Sequence, residues 1–218
     1  MNVLVTGGAG FIGSHLVPML IADGHIVHVY DSYDSQVHGE HLPWRRHDDI
    51  RDLETLRSAL DGKDAVIHLA ARVGVGQSMY EIASYVETNC LGTARLLEAV
   101  IERRQRIRKL IVASSMSVYG EGLYRCCHCG SPDEPRRFKG NGWEPQCPSC
   151  GSPSESAPTP ECKPLHPTSP YAVSKRDQEE LCLAVGRAYG IHTVAMRLFN
   201  VYGPGQSLSN PYTGAIAI

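Results

Sequence analysis

The sequence predicts an α/β fold in which a doubly wound parallel sheet carries helices on both faces. Short runs rich in β-branched residues alternate with longer stretches of helical pattern, which is the order of βαβ units. The runs are apolar at nearly every position, as in parallel strands that are buried on both faces. A glycine-rich turn directly after the first run completes the pattern.

Five strands and four helices follow from this pattern. The predicted strands cover residues 3–6, 26–30, 65–69, 109–114 and 193–198, and the predicted helices cover residues 11–22, 53–60, 82–103 and 171–189. Gly24 and Gly190 follow two of these helices, at the place where a left-handed residue ends a helix. Pro18 lies inside the first helix and predicts a local kink, because proline removes one backbone hydrogen bond.

Composition excludes several classes of protein. The chain has 218 residues, with 21 Lys and Arg against 23 Asp and Glu, so its net charge of −2 argues against a nucleic-acid partner. No apolar run reaches the ~18 residues of a membrane span, and we expect no membrane partner. The first six residues already have the pattern of a strand, so we expect no signal peptide before it. We therefore expect a cytoplasmic protein with a single domain over residues 1–218.

The glycine-rich turn between the first strand and the first helix predicts a dinucleotide site. Gly7, Gly10 and Gly13 recur every three residues, and Gly8-x-Gly10-x-x-Gly13 also fits the dinucleotide fingerprint. Such a turn brings backbone N–H groups and a helix N-terminus to the phosphates. Asp31 ends the second strand, 18 residues after Gly13, where a carboxylate binds the ribose. Because no Arg follows Asp31 directly, the pattern favours NAD over NADP.

A second motif predicts acid–base chemistry. Tyr171 and Lys175 are four residues apart, so they share one face of the predicted helix. A phenol is a poor base at its ordinary pKa of about 10. A neighbouring ammonium and a cationic nicotinamide favour the phenolate, and we expect Lys175 to lower the pKa of Tyr171 in this way. Ser115, at the end of the fourth strand, is the candidate hydrogen-bond donor to the reacting oxygen.

These motifs occur in the order typical of extended short-chain dehydrogenases/reductases, whose nucleotide-binding domain has a Rossmann-type sheet. Over its whole length the sequence resembles the NAD-dependent nucleotide-sugar epimerases and dehydratases of that family. The resemblance implies a catalytic set of Ser115, Tyr171 and Lys175, with Ser115 and Asn200 also contacting the nucleotide-sugar substrate. It implies NAD contacts, besides Tyr171 and Lys175, from Gly7, Gly10, Phe11, Ile12, Gly13, Asp31, Asp49, Ile50, Leu69, Ala70, Ala71 and Asn89.

The resemblance further implies a 4-epimerase. In such an enzyme the sugar is oxidised at C4 to a 4-keto intermediate, turns over in the pocket and is reduced again, so that NAD is regenerated. Met116 and Ser117 occupy the positions where similar 4,6-dehydratases carry an Asp-Glu pair, which favours simple epimerisation. The segments 73–81, 119–124 and 209–214 are similar to the dTDP-L-rhamnose 4-epimerase subgroup, and a UDP-sugar remains an alternative substrate. A net oxidoreductase such as a 4-ketoreductase, or a non-catalytic nucleotide-binding relative, is the competing interpretation.

Two expectations concern assembly. Relatives are commonly homodimers joined through the helices that match residues 82–103 and 171–189, and we expect the same here. Relatives also carry a C-terminal substrate domain beyond the segment matching residue 218, so the chain is expected to be the N-terminal part of a longer protein.

Residues 121–160 interrupt the α/β pattern and predict a zinc-ribbon-like insertion. Two Cys-x-x-Cys pairs, Cys126 with Cys129 and Cys147 with Cys150, are separated by 17 residues, within the interval of a four-cysteine zinc site. Four thiolates close a tetrahedral coordination sphere, which indicates a structural zinc. Free or partly ligating cysteines are the alternative, with Cys127 and His128 as possible substitute ligands. The insertion lies between Ser115 and Tyr171, so we expect it to help shape the substrate pocket.

Overall fold

The computed structural model describes residues 1–38, 48–133 and 143–206. Its strands are β1 (Asn2–Thr6), β2 (Ile26–Tyr30), β3 (Ala65–His68), β4 (Lys109–Ser115), β5 (Leu123–Cys126), β6 (Pro132–Asp133), β7 (Ser154–Ala157) and β8 (His192–Leu198). Its α-helices are α1 (Phe11–Ala22), α2 (Ser35–His38), α3 (Leu53–Ala59), α4 (Val75–Ser78), α5 (Ile82–Tyr85), α6 (Gly92–Glu102) and α7 (Pro170–Tyr189). A π-helical segment, Val86–Leu91, joins α5 to α6.

The main sheet positions the site. Its five described strands are all parallel, in the order β2-β1-β3-β4-β8. From β1 the chain proceeds to β2 on one side and then to β3 on the other, so the strand order reverses between β1 and β3. In doubly wound sheets the crevice at such a reversal, outside the carboxyl ends of the strands, is where ligands bind.

Alternating side chains of the central strands form two apolar cores, one on each face of the sheet. Leu4, Val66 and Leu110 belong to the larger core, together with Leu96 of α6. Val3, Val5, Ala65 and Ile67 form the smaller core, against which apolar side chains of α1 pack. Burial on both faces explains why the strands are continuous apolar runs.

The long helix α7 begins and ends as its sequence dictates. Ser169 is the N-cap and accepts a hydrogen bond from the backbone N–H of Ala172 at 3.1 Å, while Pro170 occupies the first turn. Gly190, with φ of 68°, is the left-handed C-cap. Close contact with β8 is possible because Gly186 has no side chain: a Cβ there would lie 2.7 Å from Thr193 Cβ and 2.9 Å from the Ile191 carbonyl oxygen.

The insertion forms a separate small sheet. Strands β6, β5 and β7 pair antiparallel in that order, with Leu123 opposite Ala157 and Cys126 opposite Ser154. The insertion thus leaves the main domain after β4 and returns to it before α7. No helix among the described residues is long and apolar enough to span a bilayer.

The predicted elements are confirmed with changes at their ends. All five strands are present, β3 stopping at His68 and β8 starting at His192. The predicted helix 82–103 is continuous, but it contains the π-helical segment, which periodicity does not reveal. Helix α1 runs through Pro18 from Phe11 to Ala22. Helices α2 and α4 and the strands of the insertion were not predicted, because each is too short for a periodic signal.

The contact between α7 and β8 generates a first prediction. Replacing a glycine inside a helix with alanine usually stabilises the helix by about 1 kcal/mol. At Gly186 the new methyl group overlaps Thr193, so we expect Gly186→Ala to lower the free energy of unfolding by about 1–3 kcal/mol. Urea unfolding measures the change, with exposed Ala184→Gly in the same helix as the control for helix propensity alone. A stabilised Gly186→Ala variant contradicts the account.

Candidate active site

The glycine-rich turn lies at the reversal between β1 and β3. Gly7 has φ of 69°, and a Cβ there would lie 2.6 Å from the backbone nitrogen of Ala70, so the chain leaving β3 crosses directly over the turn. At Gly13 a Cβ would lie 2.5 Å from the carbonyl carbon of Gly8. The N-cap Gly10 offers no side-chain hydrogen bond to α1. The turn therefore presents a helix N-terminus without a capping side chain, as a bound pyrophosphate requires.

Asp31 stands beside this turn, directly after β2. Its carboxylate accepts hydrogen bonds from the backbone N–H of Ala9 at 2.9 Å and of Tyr33 at 2.8 Å. His38 Nε2 lies 3.6 Å from the same carboxylate. The acid predicted to bind the ribose is thus held against the glycine turn, and the two features together fit a dinucleotide.

The other residues predicted to contact NAD differ in their surroundings. Ala70 lies against Gly7, between Leu69 and Ala71, in the segment that follows β3. Asp49 binds the Arg51 guanidinium, which lowers the pKa of that carboxyl group. Ile50 is buried in the larger core, where its side chain contacts the backbone position of Gly92. Its burial shows a packing role that the motif alone did not indicate.

Asn89, also predicted to line the cofactor, is buried and fully hydrogen-bonded within the protein. Its side-chain carbonyl accepts from the backbone N–H of Arg72 at 2.7 Å, and its amide donates to the Arg72 carbonyl and to Ser174 Oγ. These contacts connect the loop after β3, the π-helical segment and α7. Asn89 therefore holds these three elements together, and its contact with NAD stays a prediction.

Ser115 and Tyr171 are brought together at the carboxyl end of β4. Ser115 ends β4 with 8% of its surface exposed, and Tyr171 lies in the first turn of α7. The Ser115 side chain hydrogen-bonds the Tyr171 phenol and favours its ionised form, but burial has the larger effect and raises the pKa of Tyr171. The N-terminal end of α7 is also the end at which a helix favours negative charge. The Tyr171 ring meets the buried Tyr85 ring edge to face, with centroids 6.3 Å apart.

Lys175 is buried one turn further along α7. Its ammonium donates a hydrogen bond of 2.6 Å to Gln178 Oε1, and burial lowers its pKa to about 8. In this structure burial raises the pKa of Tyr171 and the opposing contribution comes from Ser115. The lowering by Lys175, which was expected together with a bound cationic nicotinamide, stays a prediction. Gln178, the acceptor for the lysine ammonium, is a partner that no sequence motif indicated.

A chain of buried polar side chains continues from Gln178 to the cofactor crevice. His68, at the end of β3, lies 3.1 Å from Gln178 Nε2 and 2.7 Å from Thr6 Oγ1 at the end of β1. Thr93 Oγ1 accepts from Gln178 at 2.8 Å and donates to the Asn89 carbonyl at 2.5 Å. From sequence, His68 was interpreted as a packing residue. It is buried, but its two ring nitrogens make specific hydrogen bonds.

A cavity of about 290 Å³ is lined by Met116 and Ala172, the residues that follow Ser115 and Tyr171 in the chain. Its lining, drawn from the described residues, contains no charged side chain and consists of Val75, Met116, Ser117, Tyr119, Gly120, Gly122, Thr159, Thr168, Ser169, Ala172 and Phe199. Asn200, predicted to contact the substrate, follows Phe199 and is exposed. The segment 209–214, which contributed to the resemblance, lies outside the described residues.

A partly buried ion pair stabilises the wall of this cavity. Arg197 of β8 contacts the Glu179 carboxylate at 2.7 Å and donates to Tyr119 Oη at 2.8 Å. The guanidinium lies over the Tyr119 ring, 5.0 Å from its centroid, and donates to the Glu161 carbonyl at 2.9 Å. One side chain therefore joins β8, α7, the turn after β4 and the segment returning from the insertion.

The four paired cysteines of the insertion converge. The Sγ atoms of Cys126, Cys129, Cys147 and Cys150 all lie within 4.8 Å of one another. The separations are 3.4 Å between Cys126 and Cys150, 3.7 Å between Cys129 and Cys147, and 3.8 Å between Cys129 and Cys150. These distances are far longer than the ~2.05 Å of a disulfide bond. Cys127 and His128, considered as substitute ligands, lie outside the cluster.

Burial of His68 generates a second prediction. Desolvation and the nearby Lys175 charge lower the pKa of His68 from 6.5 to about 3, so the unfolded chain binds a proton between these pH values and the folded chain does not. Stability is therefore complete above pH 6.5 and is lost as the pH falls, by about 2 kcal/mol at pH 5. Urea unfolding at pH 7.5 and pH 5 should show this loss, and His68→Gln should reduce it. Exposed His192→Gln is the matched control, and an unchanged pH dependence in His68→Gln contradicts the assignment.

Comparison with known proteins places the chain in a family. The NAD dependent epimerase/dehydratase family model matches residues 3–217. The chain is 32% identical to the dTDP-L-rhamnose 4-epimerase of Burkholderia thailandensis, over 100% of this chain and 62% of that protein.

Two solved structures are also similar. UDP-glucose 4-epimerase of Thermotoga maritima with UDP-glucose has a TM-score of 0.74 and 32% identity, over 100% of this chain and 61% of that one. UDP-glucose 4-epimerase of Thermus thermophilus in complex with NAD has a TM-score of 0.68 and 34% identity, over 95% of this chain and 58% of that one. The chain thus spans about three fifths of the length of these relatives. On this evidence the chain belongs to the NAD dependent epimerase/dehydratase family.

Proposed function

We propose that the protein is an NAD-dependent nucleotide-sugar 4-epimerase acting on dTDP-L-rhamnose or a related dTDP- or UDP-hexose. The observation that carries the proposal is the uncharged cavity lined by Met116, Ser117 and Ala172, next in the chain to Ser115 and Tyr171. Dehydration needs an acid and a base at the sugar in addition to the tyrosine. Met116 and Ser117 line the cavity where similar dehydratases carry an Asp-Glu pair, and neither side chain supplies such a group. The relative from Burkholderia thailandensis supports the choice of sugar.

The residues of this chain have distinct tasks in that reaction. Tyr171 removes the proton of the sugar 4-hydroxyl as C4 is oxidised, and it returns the proton when C4 is reduced. Ser115 donates a hydrogen bond to the same oxygen. Lys175 supplies a positive charge that favours the phenolate. When bound, NAD supplies a reversible acceptor for the C4 hydride.

The glycine turn and Asp31 support NAD as the cofactor. The turn leaves space for a pyrophosphate at the N-terminus of α1, and the Asp31 carboxylate lies at its side to accept the ribose hydroxyls. A carboxylate at this position repels the additional phosphate of NADP. The NAD bound in the Thermus thermophilus structure supports the same assignment.

We further propose a homodimer joined through α5, α6 and α7. Apolar side chains on these elements are exposed in the single chain: Ile82 of α5 (51%), Val86 (46%) and Leu91 (44%) of the π-helical segment, and Val173 of α7 (53%). Burial of such a face against a second copy removes them from water. We place the activity in the cytoplasm, an assignment supported by unpaired thiols typical of reducing compartments.

The proposed activity is tested with the full-length protein, dTDP-L-rhamnose and no added cofactor. We expect proton NMR to show the C4 epimer, without lasting absorbance from reduced nicotinamide. Tyr171→Phe should lower kcat by about 10²–10⁴-fold, because it removes the acid–base group. Exposed Tyr189→Phe, in the same helix, should leave kcat unchanged.

Turnover of a UDP-hexose alone selects the alternative substrate within the proposal and retains the mechanism. Two other outcomes contradict the proposal. Stoichiometric consumption of reduced cofactor makes the protein a net reductase. Binding of NAD without conversion of any nucleotide sugar makes it a non-catalytic relative.

We also propose that the four clustered cysteines bind one structural zinc ion. With Zn–S bonds of ~2.3 Å, a regular tetrahedron has S···S edges of ~3.8 Å, close to the observed separations of 3.4, 3.7 and 3.8 Å. The two turns are built alike: Gly130 N–H donates to the Cys126 carbonyl at 3.1 Å, and Gly151 N–H donates to the Cys147 carbonyl at 2.9 Å. In both turns the glycine has positive φ, which gives the chain the reversal that a two-cysteine turn needs.

The zinc site supports the substrate cavity through β5 and β7. These paired strands lead from the cysteine cluster towards Gly122 and Thr159, two residues that line the cavity. At that end the backbone N–H of Leu123 donates to Thr159 Oγ1 at 2.9 Å. A metal that holds the two strands together at the far end thereby stabilises the position of the cavity wall.

Metal analysis tests the zinc proposal. We expect one zinc ion per chain by mass spectrometry, its loss in Cys147→Ser, and its retention in the control Cys162→Ser at an exposed loop cysteine. Cys147→Ser should also raise the KM for the nucleotide sugar more than it lowers kcat. A metal-free wild-type protein, or a Cys147→Ser variant that retains its zinc, overturns the proposal.

A further inference from the structure

Lys175 has a buried partner that the proposed reaction does not by itself require. The ammonium is 3% exposed, and the Gln178 side chain that accepts its hydrogen bond is fully buried. Both belong to α7, three residues apart, so one helix face carries the charge and its acceptor. A buried ammonium is costly unless it is hydrogen-bonded. The contact at 2.6 Å therefore stabilises the charged form of Lys175.

The orientation of the Gln178 amide follows from its neighbours. An ammonium only donates, so the atom facing Lys175 is the amide oxygen, and the amide nitrogen faces His68 and Thr93. The Thr93 hydroxyl proton is directed to the Asn89 carbonyl at 2.5 Å. His68 Nε2 lies 3.1 Å from Gln178 Nε2 and 2.9 Å from Thr93 Oγ1, and His68 Nδ1 lies 2.7 Å from Thr6 Oγ1.

The same arrangement favours a neutral His68, because a protonated imidazole would place a second positive charge near Lys175. Burial keeps the ring neutral, with a pKa lowered to about 3. Thr93 accepts from the amide nitrogen of Gln178 and so fixes the amide, which presents its oxygen to the lysine.

Few other ionisable groups act on Lys175. Besides His68, the group that interacts with it is the Cys182 thiol on α7, whose pKa burial raises to about 12. The charged residues of α7 near it have other partners: Glu179 pairs with Arg197, Arg176 pairs with Glu180, and Asp177 interacts with the Cys90 thiol. Gln178 is therefore the acceptor on which the charge of Lys175 depends within the described structure.

We propose that Gln178, oriented by Thr93 and lying 3.1 Å from the neutral imidazole of His68, is a positioning residue that holds the Lys175 ammonium in place and keeps it protonated on the helix face that also carries Tyr171. Its relevance to catalysis rests on the proposed function, in which the charge of Lys175 favours the Tyr171 phenolate. The chain of hydrogen bonds also ends at Thr6 and His68, the last residues of β1 and β3. The chain of hydrogen bonds thereby connects Lys175 to β1, which leads into the glycine-rich turn, and to β3, which leads into the segment that crosses this turn.

The experiment measures the pKa of Lys175 directly. The full-length protein is labelled with ¹³C at the lysine ε-carbon, Lys175 is assigned with Lys175→Arg, and its NMR signal is followed against pH. Gln178→Met keeps the side-chain length and removes the acceptor, so we expect the pKa of Lys175 to fall by roughly one unit or more. Gln178→Glu places a negative charge at the same position and should raise the pKa by a similar amount. Exposed Gln105→Glu, which adds the same charge at the surface, should leave it unchanged.

If the pKa of Lys175 falls in Gln178→Met and rises in Gln178→Glu, Gln178 acts on the lysine charge. A merely structural role predicts no such opposite shifts, because loss of packing does not depend on the sign of the charge at position 178. If Gln178→Met does not fold, the upward shift in Gln178→Glu carries the test. Folded variants whose Lys175 titrates as in the wild type overturn the proposal. The alkaline limb of kcat must move in the same direction as the pKa of Lys175, and a fixed limb overturns the link to catalysis. The titration of Lys175 needs no substrate. Its result therefore stands even if the protein is not an epimerase, and the two failures can be told apart.

Discussion

The docking of α7 against the sheet is the constraint on which the candidate site depends. The buried face of this helix changes character along its length. Near the C-terminus it is small and apolar, with Gly186 in close contact with Thr193. Near the N-terminus it is polar, with Lys175, Gln178 and Glu179 all buried. Buried charges are costly unless they are paired, so the helix must keep the orientation in which these polar contacts form. At the other end, the close approach at Gly186 fixes the distance between the helix and the sheet.

The position of Tyr171 follows from that docking. The phenol lies in the first turn of the helix, at the carboxyl end of β4, where Ser115 meets it. The same region is walled on the outside by Tyr119, which Arg197 holds from β8. The insertion joins this wall rather than standing apart, because its strands end at Gly122 and Thr159. The insertion interrupts the α/β pattern of the sequence, but residues at its two ends line the cavity.

Sequence predicted the features that depend on local pattern. Apolar runs, the glycine spacing and the Cys-x-x-Cys pairs each reflect a backbone or ligand requirement that a few neighbouring residues satisfy. The contact of Gln178 with His68 was not predictable in this way, because the two residues are 110 residues apart in the chain and meet only in the fold. Ile50 and Asn89 illustrate the same limit: a position within a motif does not say whether the side chain faces a ligand, the core or a neighbouring helix. Two sequence signals for this polar network were available. One is a His at the end of an apolar strand, and the other is a Gln one turn after the Lys of the helix motif.

In the proposed reaction a nucleotide sugar is oxidised at C4 and the same hydride returns to the other face. The most direct measurement is the fate of deuterium placed at C4 of dTDP-L-rhamnose, followed by NMR in the full-length protein with no added cofactor. We expect the C4 epimer to form with the deuterium retained at C4. An epimer that carries hydrogen from solvent at C4 would contradict it, because the proton would then have been exchanged by acid–base chemistry alone.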